Sequence, residues 1–195
     1  MSMLTQEMWG QLRFYYFNYL KPYPYTFSAS LVYPRLWVGD LTAAFDLPAL
    51  TAHGITHIVD LVPGISSEFP GIRYLHLPCL DADAFNMTPH FDMTNTFIHD
   101  ALTSNDDHRV LIHCSVGRSR SVTVAMAYRM FTTPDTTRDI LAHVQAKRPI
   151  AQPNPGFMAQ LRRYRQHVND LRASSPTTES DSYSSDYESD VSDNA

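Results

Sequence analysis

Twelve residues, Val110 to Ser121 (VLIHCSVGRSRS), constrain this 195-residue chain more than any other stretch. Val110-Leu111-Ile112 is a short, wholly apolar strand, the pattern of a strand covered on both faces of a sheet. It runs into a small-residue loop containing Gly117, and a helix is expected from Arg120 to Phe131. In an α/β fold, a strand–loop–helix order puts the loop at the carboxyl edge of the sheet, where ligands bind. Backbone N–H groups of such a loop converge on an anion, and the helix N-terminus adds partial positive charge. Cys114 opens the loop, in a setting that lowers a thiol pKa to about 3.5–7.5. Arg120 closes it, with a planar fork that holds two oxygens of one phosphate, which Lys cannot do. The residue types point to a thiolate facing an oxyanion.

The rest of the chain supplies a frame for that loop. Strands are expected at Leu36–Val38, Thr56–Leu61 and Ile72–Leu77. Helices are expected over Thr42–Thr51, over Thr88–Leu102 with Thr88 as N-cap, from Thr133–Pro134 to Lys147, and over Asn154–Leu171. Strands alternating with helices give the fold class: α/β, a central and mostly parallel sheet flanked by helices. Before this frame, residues 1–29 read as an aromatic-rich helix, then a linker broken by Pro22 and Pro24, and the helix is a candidate surface for self-association. After it, residues 173–195 carry eight serines, six carboxylates and no Lys or Arg, the composition of a disordered acidic tail. Tyr183 and Tyr187 in that tail are candidate phosphorylation sites.

Charge narrows the partners. The formal net charge is −5, but with 15 basic residues the body becomes near neutral once the tail is set apart. Nucleic-acid binding wants a basic stripe and is not expected. No apolar run reaches the roughly 20 residues of a membrane span, so no membrane partner is expected. Two cysteines without a secretory leader suggest a reducing compartment, cytoplasm or nucleus. The nine histidines fall in no metal-ligand spacing, so no metal and no cofactor are expected. Cys79 reads as core packing, with a disulfide to Cys114 as the alternative. Arg162, Arg163 and Arg165 read as a solvated helix face.

His113-Cys114, five residues, then Arg120-Ser121 resembles the HCx5R[ST] signature of the protein tyrosine phosphatase superfamily. The surroundings resemble its dual-specificity branch from about Ser30 to Asp170. Trp37-Val38-Gly39-Asp40, Gly54-Ile55-Thr56-His57-Ile58, Tyr74-Leu75-His76-Leu77 with Asp81, and Arg148-Pro149 with Pro153-Asn154-Pro155-Gly156-Phe157 and Gln160-Leu161 occur in that branch's order. The resemblance implies a protein tyrosine phosphatase-like catalytic domain over residues 30–172 and a two-step, metal-free hydrolysis of phosphorylated protein substrates.

In that scheme Cys114 is the nucleophile and Arg120 the phosphate clamp. Ser115, Val116, Gly117, Arg118 and Ser119 form the phosphate-binding loop, braced by His113. Ser121 donates to the sulfur, and Asn154 supports the loop from beneath. The general acid is Asp81, because Phe85-Asn86 follows it at the family's spacing, with Asp83 in reserve. Arg118 points outward, either reading acidic substrates or merely exposed. The chain has no room for the recognition loop of the larger tyrosine-specific relatives, so a shallow pocket is implied. The rivals are phosphatases of the same mechanism acting on phosphoinositides or RNA 5′-phosphates, and a phosphate-binding pseudophosphatase scaffold.

Overall fold

The computed structural model describes residues 27–64 and 68–174. The expected N-terminal helix and the acidic tail from Ser175 onward lie outside them. Five strands form one sheet: β1 (Ala29–Tyr33), β2 (Leu36–Gly39), β3 (His57–Asp60), β4 (Arg73–His76) and β5 (Val110–His113), in the order β1-β2-β5-β3-β4. Four strands are parallel and β1 alone is antiparallel, so the sheet is mostly parallel as expected. β5 sits at the centre, and every residue of it is buried. Its ladder to β2 and to β3 leaves its carboxyl end, and hence Cys114, in the middle of one sheet edge.

Period-two alternation sends the strand side chains into two cores. Val59, Val110 and Ile112 join the larger core on one face, while Ile58 and Leu111 join the smaller one on the other. On the larger face lie α3 (Thr88–Ser104), α4 (Arg120–Thr132), α5 (Thr137–Lys147) and α6 (Pro155–Ser174). α4 is the central helix, with Val122, Val124, Ala125, Met126, Ala127 and Met130 fully buried. A helix apolar nearly all round belongs in a core, and its start is thereby fixed against β5. On the smaller face lie α1 (Leu41–Ala44) and α2 (Leu47–Ala52).

Several boundaries differ from the sequence reading, each for a local reason. The single helix expected over Thr42–Thr51 is two short ones, because Asp40 and Asp46 each cap a turn of their own. Their side chains accept from the Ala43 and Ala49 amides, both at 3.0 Å. Thr88 is not the N-cap of α3; Met87 takes that place, with no side-chain capping bond, and its amide donates to Gln160 Oε1 at 2.7 Å. Arg165 is not solvated: it is 8% exposed and donates to the Thr133 carbonyl at 3.0 Å. β1 has no counterpart in the sequence reading; it is made by a tight turn in which Arg35 takes a left-handed φ of 62°.

Helix α5 starts at Thr137, later than the expected Thr133–Pro134, because Thr136 is extended and takes the N-cap place. Thr136 then caps the helix, accepting from the Asp139 amide at 3.2 Å and donating to its carboxylate at 2.7 Å. Thr136→Ala is expected to lower stability by about 1 kcal/mol in chemical denaturation. A helix that began at Thr133 would be indifferent to that change.

Candidate active site

The loop after β5 wraps the Cys114 sulfur. The Gly117 amide donates to Sγ at 3.2 Å, and the Ser121 hydroxyl lies 3.3 Å away. Cys114 is buried, which by itself would raise its pKa. The Ser121 hydroxyl and amide, the Arg120 charge and the Val116 contact outweigh that burial, and the thiol is held below its ordinary value. The sulfur therefore carries its charge more readily than a free thiol does.

The loop is shaped from behind. Arg148 is 4% exposed and donates through Nε to the Gly117 carbonyl at 2.6 Å and through Nη2 to the Val116 carbonyl at 3.2 Å. The Val116–Gly117 peptide is thus held at both ends, its oxygen on Arg148 and its N–H on the sulfur. Gly117 has φ +68°, and a β-carbon there would press on the Gly39 carbonyl at 2.6 Å and on the Arg148 guanidinium. Only glycine fits both the backbone and the space.

Arg120 begins α4, and its guanidinium is tied to the floor of the site. Nη1 donates to the Cys79 carbonyl at 3.0 Å and the Leu61 carbonyl at 3.3 Å, and Nη2 donates to Ser115 Oγ at 3.0 Å. Nε makes no hydrogen bond and faces Asp81 Oδ2 at 3.8 Å. Bonds to neutral carbonyls fix the fork without neutralising it, so its charge remains available to an oxyanion.

Asp81 reaches this ring from the segment after β4. Its Oδ1 accepts from Ser119 Oγ at 2.7 Å and from Asn154 Nδ2 at 2.9 Å. Asn154 also caps α6, accepting from the Phe157 amide at 2.8 Å, while its own amide donates to Ser119 Oγ at 3.1 Å. Ser119, the N-cap residue of α4, makes no capping bond with its side chain. Its hydroxyl serves the acid segment instead, and the first amides of α4 stay free of it. The chain is closest at Gly156, where a β-carbon would meet the Asp83 backbone, its α-carbon at 2.7 Å. Asp81 thus stands in the ring with Arg120, whereas Asp83 touches α6 through its main chain.

The other expected residues fall around this ring. His113 is 3% exposed, its Nε2 3.2 Å from Asp60 Oδ1, and burial pushes its pKa down against the pull of Asp60. Ser115, Val116 and Arg118 are exposed at the rim. The Arg118 guanidinium donates to Gln152 Oε1, and its carbonyl accepts from the Gln152 amide at 2.8 Å. Cys79 is fully buried, its thiol donates to the Leu77 carbonyl at 3.1 Å, and burial raises its pKa to about 11 against the pull of Arg120. Among the described residues, no His, Cys, Asp and Glu cluster is placed to hold a metal, and no helix is long and apolar enough to cross a membrane.

Residues 36–167 match the family model described as the dual specificity phosphatase catalytic domain. The chain belongs to that family. It is 35% identical over 136 residues to human dual specificity protein phosphatase 22, covering 70% of this chain and 73% of that one. To rat protein phosphatase Slingshot homolog 3 it is 36% identical over 137 residues, 70% of this chain but only 21% of that much longer one. Among solved structures, DUSP15 superposes with a TM-score of 0.67 at 32% identity, covering 74% of this chain and 97% of that one. The human tyrosine phosphatase-like serine/threonine/tyrosine-interacting protein gives a TM-score of 0.67 at 33% identity, over 76% and 99%. The chain is a cysteine-dependent protein phosphatase with the protein tyrosine phosphatase fold.

Sequence reasoning quoted Arg148 only as part of a motif and gave it no task. Its signal is the Arg-Pro pair at the end of α5, but its partners lie 31 and 32 residues away. Of the groups on the sulfur, Ser121 is the most readily tested. Ser121→Ala removes a hydrogen bond to the anionic form, so the thiol pKa rises and alkylation of Cys114 by iodoacetate begins at higher pH. The expected displacement is about one unit, measured as rate against pH. An unmoved profile would remove Ser121 from the thiolate's support.

Proposed function

We propose that the phosphatase cleaves phosphotyrosine, phosphoserine and phosphothreonine esters in proteins through a cysteinyl-phosphate, with the roles set by this ring of residues. The single observation that carries the reading is the grouping of an acidified thiol, a guanidinium with a free Nε and a tethered carboxyl at one loop. Cys114 Sγ attacks phosphorus as the ester P–O bond breaks, and the departing oxygen takes a proton from Asp81. Water then attacks phosphorus and gives a proton to Asp81, the S–P bond breaks, and inorganic phosphate leaves with the thiolate restored. Arg120 and the loop amides hold the equatorial oxygens as charge shifts between the steps. Ser121 stabilises the departing sulfur in the second step.

Support for a broad substrate range comes from the rim. Val116 is 59% exposed and the Asp81 side chain 36%, so the acid and the loop lie near the surface rather than at the bottom of a cleft. A shallow site accepts the short serine and threonine esters as well as the longer tyrosine one. Arg118, exposed beside it, supplies the rim's positive charge toward acidic or doubly phosphorylated segments, and Gln152 holds it in place. Two free thiols, one of which must stay reduced to react, support a reducing compartment.

Turnover of p-nitrophenyl phosphate tests the reading. Cys114→Ser is expected to abolish it. Asp81→Asn is expected to lower kcat by about 10²–10⁴-fold. The rise of rate on the acidic side, which follows ionisation of Cys114, stays. A wild-type chain that binds phosphate but never turns over would instead place it with phosphate-binding scaffolds.

A further inference from the structure

Beneath the loop, three strands end in side chains that meet. Asp60 at the end of β3 is the ladder partner of both His76 on β4 and His113 on β5. The Asp60 side chain is only 4% exposed, yet it gathers three contacts. Oδ1 accepts from the Val62 amide at 2.8 Å and lies 3.2 Å from His113 Nε2, and Oδ2 lies 3.2 Å from His76 Nδ1. The row continues outward, with Glu68 Oε1 at 3.1 Å from His76 Nε2.

Two of these contacts lead to the reacting groups. His113 is joined directly to Cys114. The Asp60–Val62 bond turns the chain at Leu61, whose carbonyl accepts from Arg120 Nη1 and from the Cys79 amide at 3.2 Å. Cys79 offers the second carbonyl to the same Nη1. Asp60 thus shapes the floor under Arg120 through one oxygen and the start of the phosphate loop through the same oxygen's contact with His113. Another charged group facing the hub is Asp40 at the cap of α1, whose charge reaches His113.

We propose that Asp60 is a positioning residue for the phosphatase reaction, setting Arg120 and the Cys114 end of the loop through the hydrogen bond its carboxylate accepts from the Val62 amide and its 3.2 Å contact with His113 Nε2. It touches neither substrate nor sulfur. This rests on the reading of Cys114 and Arg120 given above.

The test is a series at Asp60, read by alkylation of Cys114 with iodoacetate against pH and by kcat and KM for p-nitrophenyl phosphate. Asp60→Asn keeps an oxygen for the Val62 amide and for His113, and is expected to stay within about threefold of wild type in both. Asp60→Ala removes the acceptor. Its alkylation profile is expected to move to higher pH by about half to one unit, with kcat down roughly tenfold or more in protein that is still folded. If Asp60→Ala fails to fold, Asp60→Ser, which keeps an acceptor for Val62 but cannot span to His113, gives the same displacement. A folded Ala or Ser variant with a wild-type profile and kcat overturns the proposal, and so does an Asn variant that behaves like Ala. Alkylation does not depend on turnover, so a wild type that fails to hydrolyse the aryl phosphate sinks the reaction assignment while this profile still judges Asp60.

Discussion

A buried sulfur whose charged form is favoured over that of a free thiol is the constraint around which this domain is arranged. Burial alone opposes that charge, so the surroundings must return what water would have given. They do so with peptide N–H groups, one hydroxyl and one guanidinium placed by a loop between the central strand and the central helix. Neither β5 nor α4 can shift without carrying the sulfur away from these groups. That accounts for why both elements are buried so completely.

The loop is also held from its outer side, and there the work falls to residues far along the chain. Arg148 takes two loop carbonyls, Gly39 leaves no room for a side chain at Gly117, and Asn154 joins Ser119 to the acid. Each is neutral or paired in a way that leaves charge for the pocket. The arrangement is electrostatic preorganisation: dipoles fixed in advance need not reorient when charge moves in the reaction.

Much of this could be read before any coordinates. The apolar run at Val110–Ile112, Gly117, and the spacing of Cys114 to Arg120 are local, and local patterns report strands, turns and helix starts directly. Asp81 was separable from Asp83 by its distance to Phe85-Asn86, and the structure sets Asp81 beside Arg120. What stayed hidden is long-range. The amide of Met87 finds its acceptor 73 residues away on Gln160, so no pattern near Thr88 could disclose it. Arg165 looks like any surface arginine until the Thr133 carbonyl is seen to need a donor. The three-way meeting at Asp60 depends on strand order, which neighbouring residues do not encode.

The acid segment carries one more implication. Asp81 is clipped to Ser119 and Asn154, and the backbone behind it rests against Gly156. Enzymes whose acid swings in on a lid can use closure to check what they have caught. An acid clipped by two hydrogen bonds to the loop it serves has little play for such a check. Discrimination between one phosphoprotein and another must then come from surfaces outside the pocket, or from which proteins the enzyme meets.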